Sequence, residues 1–164
     1  MTTNTIAEKG FLYPEIFRGL IEAAIWTNEE QLCEEAEREY EHQPAYRGDW
    51  VPEKAGISID DFAPSAIAYL EDLCRRFEST FSEFCISPDE YFNKIPVNHT
   101  ELEYVGIDLW LTICGHGAGF WDGDWDDRIA TQLSEWCRKH GDIELYVGDD
   151  QLIYICGKES YSND

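Results

Sequence analysis

Residues Ile67, Leu70, Cys74, Phe77, Phe81 and Phe84 recur at alternating spacings of three and four, and this stripe constrains the fold more than any other feature of the chain. Only a helix brings such positions onto one side. Three phenylalanines in its second half need a thick apolar partner, which argues for a globular core rather than a coiled-coil seam. A helix from about Ala63 to Cys85 is therefore predicted. With 43% hydrophobic and 14% aromatic residues over 164 positions, the chain can bury one sizeable core, so a single domain is expected over residues 1–164.

Other helices follow from the same period. Pro14 to Trp26 places Phe17, Leu20, Ile21, Ala24 and Ile25 on one stripe behind a proline at a first helical position. Thr27 and Glu30 have the spacing of a capping box, which predicts a break and a second helix over about Asn28 to His42. The stretch from Pro44 to Gly56 reads as a loop around Trp50, and Ser87, Pro88 and Glu90 predict a short helix to about Asn93. Residues 1–100 thus form a mainly helical, acidic part.

The last third, residues 101–164, changes period. From Ile107 to Cys114, apolar Ile107, Leu109, Leu111 and Ile113 alternate with Asp108, Trp110, Thr112 and Cys114, the pattern of a half-buried strand. Asp126 to His140 reads as a helix closed by Gly141. Ile143 to Val147 and Leu152 to Cys156 flank Gly148, Asp149 and Asp150, the composition of a hairpin. The expected fold is α+β, with helices packed on one face of a small, largely antiparallel three-stranded sheet in β-α-β-β order.

Charge bounds the partners. Thirty-four acids against twelve Lys and Arg give a formal net charge of −22. A globule of this length is roughly 40 Å across, and a duplex of that length carries roughly 23 phosphate charges. The chain therefore matches the charge of the duplex it would displace. Direct nucleic-acid binding is excluded on this balance, since Arg75–Arg76 and Arg138–Lys139 are the adjacent basic pairs. In overall character the chain resembles acidic DNA-mimic inhibitors, and the expected partner is a basic nucleic-acid-binding host protein. Neither a signal peptide nor an apolar run near the roughly 18 residues of a membrane span is visible, so a cytoplasmic location in the host cell is expected, away from the membrane. The cysteines Cys33, Cys74, Cys85, Cys114, Cys137 and Cys156 lack metal-ligand spacing and read as small buried hydrophobes. Self-association into a homodimer stays open.

The segment Gly115-His116-Gly117-Ala118-Gly119-Phe120-Trp121-Asp122, with the predicted strand before it and the Tyr146-Val147-Gly148-Asp149-Asp150 hairpin after it, resembles a segment of small, mostly uncharacterised proteins of bacteriophages and prophages. The resemblance spans Ile107 to Cys156 and implies phage origin and an α+β fold. It implies no activity. As chemistry, the glycines permit a close backbone approach, but Phe120 and Trp121 stand where a phosphate loop needs a lysine or a helix start. Asp122, Asp124 and Asp126 occupy calcium-loop positions one, three and five, whereas Asp127 and Leu133 replace the required glycine and glutamate.

Two functional surfaces emerge. The first is a ridge on the second predicted helix, Glu30, Glu34, Glu37 and Glu41 with neighbouring Glu29, whose carboxylates would stand in for phosphates. The second is the group Trp121, Asp122, Asp124, Trp125 and Asp126, whose aromatic rings would supply contacts to a protein partner. The leading expectation is a phage-encoded, non-enzymatic nucleic-acid mimic that occupies the groove of a restriction or CRISPR-type defence protein, without cofactor or metal. One alternative is an acidic adaptor or inhibitor that binds through an aromatic pocket. Another is a metal-dependent hydrolase using His116 with Asp122 or Asp124; His42, His99 and His140 form no pair at ligand spacing with it or with each other.

Overall fold

The computed structural model describes residues 10–38, 56–84, 100–116, 118–122, 125–141 and 143–156. Helix α1 covers Pro14–Glu35, α2 Pro64–Phe84, α3 Glu101–Ile113 and α4 Asp127–Lys139, and the strands β1 and β2 cover Glu144–Val147 and Ile153–Cys156. The expectations for Trp50 and the surrounding loop, for the helix at Pro88–Asn93, and for Glu41, Cys85 and Asp124 lie outside the described residues.

One unbroken α1 replaces the two helices predicted over its length. The apolar stripe stays in phase across Thr27, from Phe17, Leu20 and Ala24 to Leu32 and Cys33, all fully buried. Burial of that continuous stripe outweighs the local capping signal. Thr27 and Asn28 bond backward along the helix, Thr27 Oγ1 to Ala23 O at 2.7 Å and Asn28 Nδ2 to Ala24 O at 2.9 Å. Trp110 Nε1–H donates to Thr27 Oγ1 at 2.9 Å, so Thr27 ties α1 to α3 rather than starting a helix. At its N-terminus α1 has Pro14 but no cap from Tyr13. The carboxylate of Glu78, on α2, instead fixes the chain entering α1 by accepting the N–H groups of Leu12 and Tyr13 at 3.2 and 2.6 Å.

The segment predicted as a strand at Ile107–Cys114 is instead most of α3. Both halves of its alternation are buried: Ile107, Leu109 and Leu111 on one count, Asp108 and Trp110 on the other. A helix enclosed on all sides shows no amphipathic period, so alternation here is a coincidence of composition. A start signal is nonetheless present in the sequence, because Thr100 and Glu103 form a reciprocal capping box. Gly19 and Gly106 let α1 and α3 meet backbone to backbone. A Cβ on Gly106 would lie 1.9 Å from Ile16 O, and one on Gly19 would lie 1.9 Å from Glu103 O.

The sheet among the described residues has two antiparallel strands rather than three, with Tyr146 opposite Tyr154 and Val147 opposite Ile153. The predicted hairpin is present, and the α+β class holds in this coarser form. Gly148 N–H donates to Leu152 O, and Gln151, at φ 68°, closes the turn in the left-handed region. The short 3₁₀ turn Ile59–Asp61 leads into α2, and Ala63 N–H donates to Ile153 O at 2.8 Å, which ties the start of α2 to β2. Of the cysteines, Cys33, Cys74 and Cys137 are buried, as small hydrophobes would be, but Cys156 is exposed.

The core is aromatic at its centre. Phe77 stacks on Phe81 and Phe120 at 5.7 and 5.9 Å and meets Trp136 edge-on at 5.2 Å. The predicted α2 stripe thus does supply the core, and it receives Phe120 from the glycine-rich segment.

Candidate functional site

The glycine-rich segment is built from its ends inward. Gly115, at φ 73°, and His116 close α3 by donating their N–H groups to Thr112 O and Leu111 O, the paired bonds of a left-handed helix terminus. Thr112 Oγ1 then accepts Phe120 N–H at 3.0 Å, and Asp122 Oδ2 accepts Gly119 N–H at 3.2 Å. These bonds steer Phe120 into the core and leave Trp121 on the surface, 56% exposed.

Trp125 goes the other way. It is fully buried, packs edge-on against Phe120 at 5.0 Å, and donates Nε1–H to Asp108 Oδ2 at 2.6 Å. The expectation that Trp125 contacts a partner is therefore corrected: its indole fastens the segment to α3. Asp126 is a helix cap, since its Oδ1 accepts the N–H groups of Arg128 and Ile129. Of the second predicted surface, only Trp121 and Asp122 present side chains outward among the described residues.

No group of three or more His, Cys, Asp or Glu among the described residues is placed to hold a metal ion. His116 is partly buried, and burial lowers its pKa below the ordinary histidine range. Among the described residues no helix is long and apolar enough to cross a membrane.

The acidic ridge is altered more than displaced. Glu29, 5% exposed, is buried and leaves the surface set. Glu30 and Glu34 are exposed one turn apart on α1, and Glu37 follows just beyond the helix end with φ 56°. The structure adds a neighbour that the linear pattern did not reveal. Gln31 Nε2 donates to Leu145 O at 3.1 Å, and Glu35 Oε1 accepts Val147 N–H at 2.9 Å, so the end of α1 lies along the outer edge of β1. Glu144, Asp149 and Asp150 are exposed on the hairpin, beside the end of α1 where Glu30, Glu34, Glu35 and Glu37 are exposed, and these two neighbouring segments are together called the α1–hairpin face.

Among the described residues, the bases near that face are engaged or distant. No Lys or Arg occurs from Ile143 to Cys156. Arg38, the one base at the end of α1, is held 2.9 Å from Asp61. The guanidinium keeps the Asp61 carboxyl below its usual range despite burial, which acts in the opposite sense. Arg18 and Arg76 lie 3.9 and 3.0 Å from Glu103 and Asp72. Arg138 and Lys139 stand in the last turn of α4, where a helix dipole favours positive charge.

Tyr146 and Tyr154, opposite each other on the hairpin, have ring centroids 5.8 Å apart and nearly parallel planes at 24°. Tyr154 Oη donates to Asp150 Oδ2 at 2.5 Å. This bond, with Leu152 N–H, holds the Asp150 carboxyl below its ordinary pKa and raises that of Tyr154. Equal offsets of both tyrosines from the hairpin turn were available in the sequence to mark this pair.

Comparison with known proteins supplies no relative to set beside this geometry: no family model, curated protein or solved structure matches the chain.

Proposed function

We propose that the protein is a nucleic-acid mimic of phage origin that inhibits a host DNA-binding defence protein, of restriction or CRISPR type, by occupying its basic groove. One observation carries the reading: α1 ends in exposed Glu30, Glu34 and Glu37 with no basic residue in its last turn. Negative charge at a helix C-terminus opposes the macrodipole, at about 0.3–1 kcal/mol for each group near the end. Hairpin acids add to the repulsion instead of relieving it. A fold has no need of such an arrangement, whereas a surface that pairs with the lysines and arginines of a partner does.

The aromatic-pocket alternative keeps Trp121 and loses Trp125. It predicts that Trp121→Ala abolishes partner binding while charge reversal on α1 does not. The test is inhibition of DNA cleavage by a panel of purified restriction and CRISPR-type nucleases, each repeated with Glu30→Lys/Glu34→Lys/Glu37→Lys. Inhibition that falls with rising salt and disappears in the triple variant supports mimicry. A stable complex of the protein itself with duplex DNA at low salt, or inhibition untouched by the triple variant, refutes it.

A further inference from the structure

We propose that the outer face of the β1–β2 hairpin is a docking surface for an arginine-bearing basic segment of a protein partner, with a guanidinium seated on the Tyr146–Tyr154 pair. The inference deepens the mimic reading and rests on it for the basic character of the partner. Strand alternation turns Leu145 and Ile153 into the core at 2% and 1% exposure. The same alternation puts Glu144, Tyr146, Tyr154 and Cys156 on the opposite face, where Tyr146 is 44% exposed.

That face has the ingredients of a guanidinium site. The two phenol rings stack on each other, which presents the electron-rich ring of the exposed Tyr146 on a rigid pair, and Tyr154 is held in place by its bond to the Asp150 carboxylate. Carboxylates stand around it: Glu144 on the same face, Glu35 at the β1 edge and Asp150 at the turn. Arginine fits better than lysine because its planar head stacks on a ring while its N–H fork meets a carboxylate. The platform is also fixed in advance. Gln31 and Glu35 hold β1 while Ala63 holds β2, so little ordering is left to do on binding.

The experiment uses the full chain and two probes, a nona-arginine and a nona-lysine peptide, with affinity read by calorimetry and location by amide NMR shifts. At about 0.15 M ionic strength, the arginine peptide is expected to bind more tightly, with the largest shifts at Glu144, Tyr146 and Tyr154. Tyr146→Leu should weaken that peptide by about two- to five-fold, the scale of an exposed cation–π contact, and leave the lysine peptide nearly unchanged. Tyr146→Trp should preserve the arginine preference. Equal affinity for both peptides, an unchanged affinity in Tyr146→Leu, or shifts confined to Glu30 and Glu34 on α1 would each overturn the proposal. Failure of the broader reading looks different: no nuclease is inhibited, while the arginine preference and its dependence on Tyr146 persist.

Discussion

Substituting Gly106 by alanine tests the central joint of the fold. On helix propensity alone the change should stabilise α3 by about 1 kcal/mol. The crossing with α1 reverses that sign. The new methyl would sit 1.9 Å from Ile16 O and 2.7 Å from Leu20 N. Carbon–oxygen contacts relax at about 3.3–3.6 Å, so the helices must part by roughly 1.4 Å. A gap of about 1 Å already forfeits up to half of each dispersion contact across the crossing. Overpacking against side chains costs about 1–3 kcal/mol, and the obstacle here is helical backbone, which cannot rotate aside. The expected net loss is about 3–4 kcal/mol, and at about 2–4 °C for each kcal/mol the melting temperature should fall by roughly 6–16 °C. Urea unfolding should show a lower midpoint at unchanged slope. Gly19→Ala meets Glu103 O at the same distance, and once the helices have parted for one methyl the second should cost less, so the double variant is expected to be sub-additive. A melting temperature equal to or above that of the parent in Gly106→Ala would refute the close crossing.

Two further outcomes are expected. Glu37 holds a left-handed conformation at the end of α1, with its N–H donated to Glu34 O and that of Arg38 to Cys33 O; Glu37→Gly should therefore stabilise by about 1 kcal/mol, and thermal melting that shows destabilisation would refute this account of the terminus. Glu78 is 2% exposed, and burial raises its carboxyl pKa against the pull of the Tyr13 and Leu12 N–H groups and of Arg75. The folded state thus keeps this proton to higher pH than the unfolded chain, so the stability linked to it is present below the ordinary carboxylate range and is lost as pH rises through the folded pKa. Melting should accordingly be higher at mildly acidic than at neutral pH, and Glu78→Gln should shrink that difference; an undiminished difference would assign it to net charge alone.

What could be read from the chain follows from where each signal originates. The α2 stripe, the helix following Asp126 and the hairpin turn rest on contacts within a few residues, and all three stand as predicted. The α3 helix carries no helical period in the sequence because burial on every side erases it, although Thr100 and Glu103 mark its start. Thr27 misled for the opposite reason: its local signal is sound, but the partner it serves is Trp110, 83 residues away. Within the candidate site, exposure of Glu30 and Glu34 was legible from the thin apolar face of their helix. The burial of Glu29 and Trp125 and the approach of the hairpin to α1 were not, because they depend on tertiary contacts such as Trp125 with Asp108 and Glu35 with Val147.

Among the described residues, two populations of acids stand apart by what they do. One population builds the fold: Glu78 holds the chain entering α1, Asp61 and Glu103 complete capping boxes, Asp126 caps α4, Asp108 anchors Trp125 and Glu35 fixes β1. Three of these six, Asp61, Glu103 and Asp126, act at helix starts, where negative charge is favourable. The other population, Glu30, Glu34, Glu37, Glu144 and Asp149, is exposed near the C-terminal end of α1 and on the hairpin beside it. There each carboxylate adds to like charge and to the negative end of a helix. On the proposed reading, the acids of the α1–hairpin face, beside the stacked Tyr146 and Tyr154, are the ones that would pair with a cationic partner.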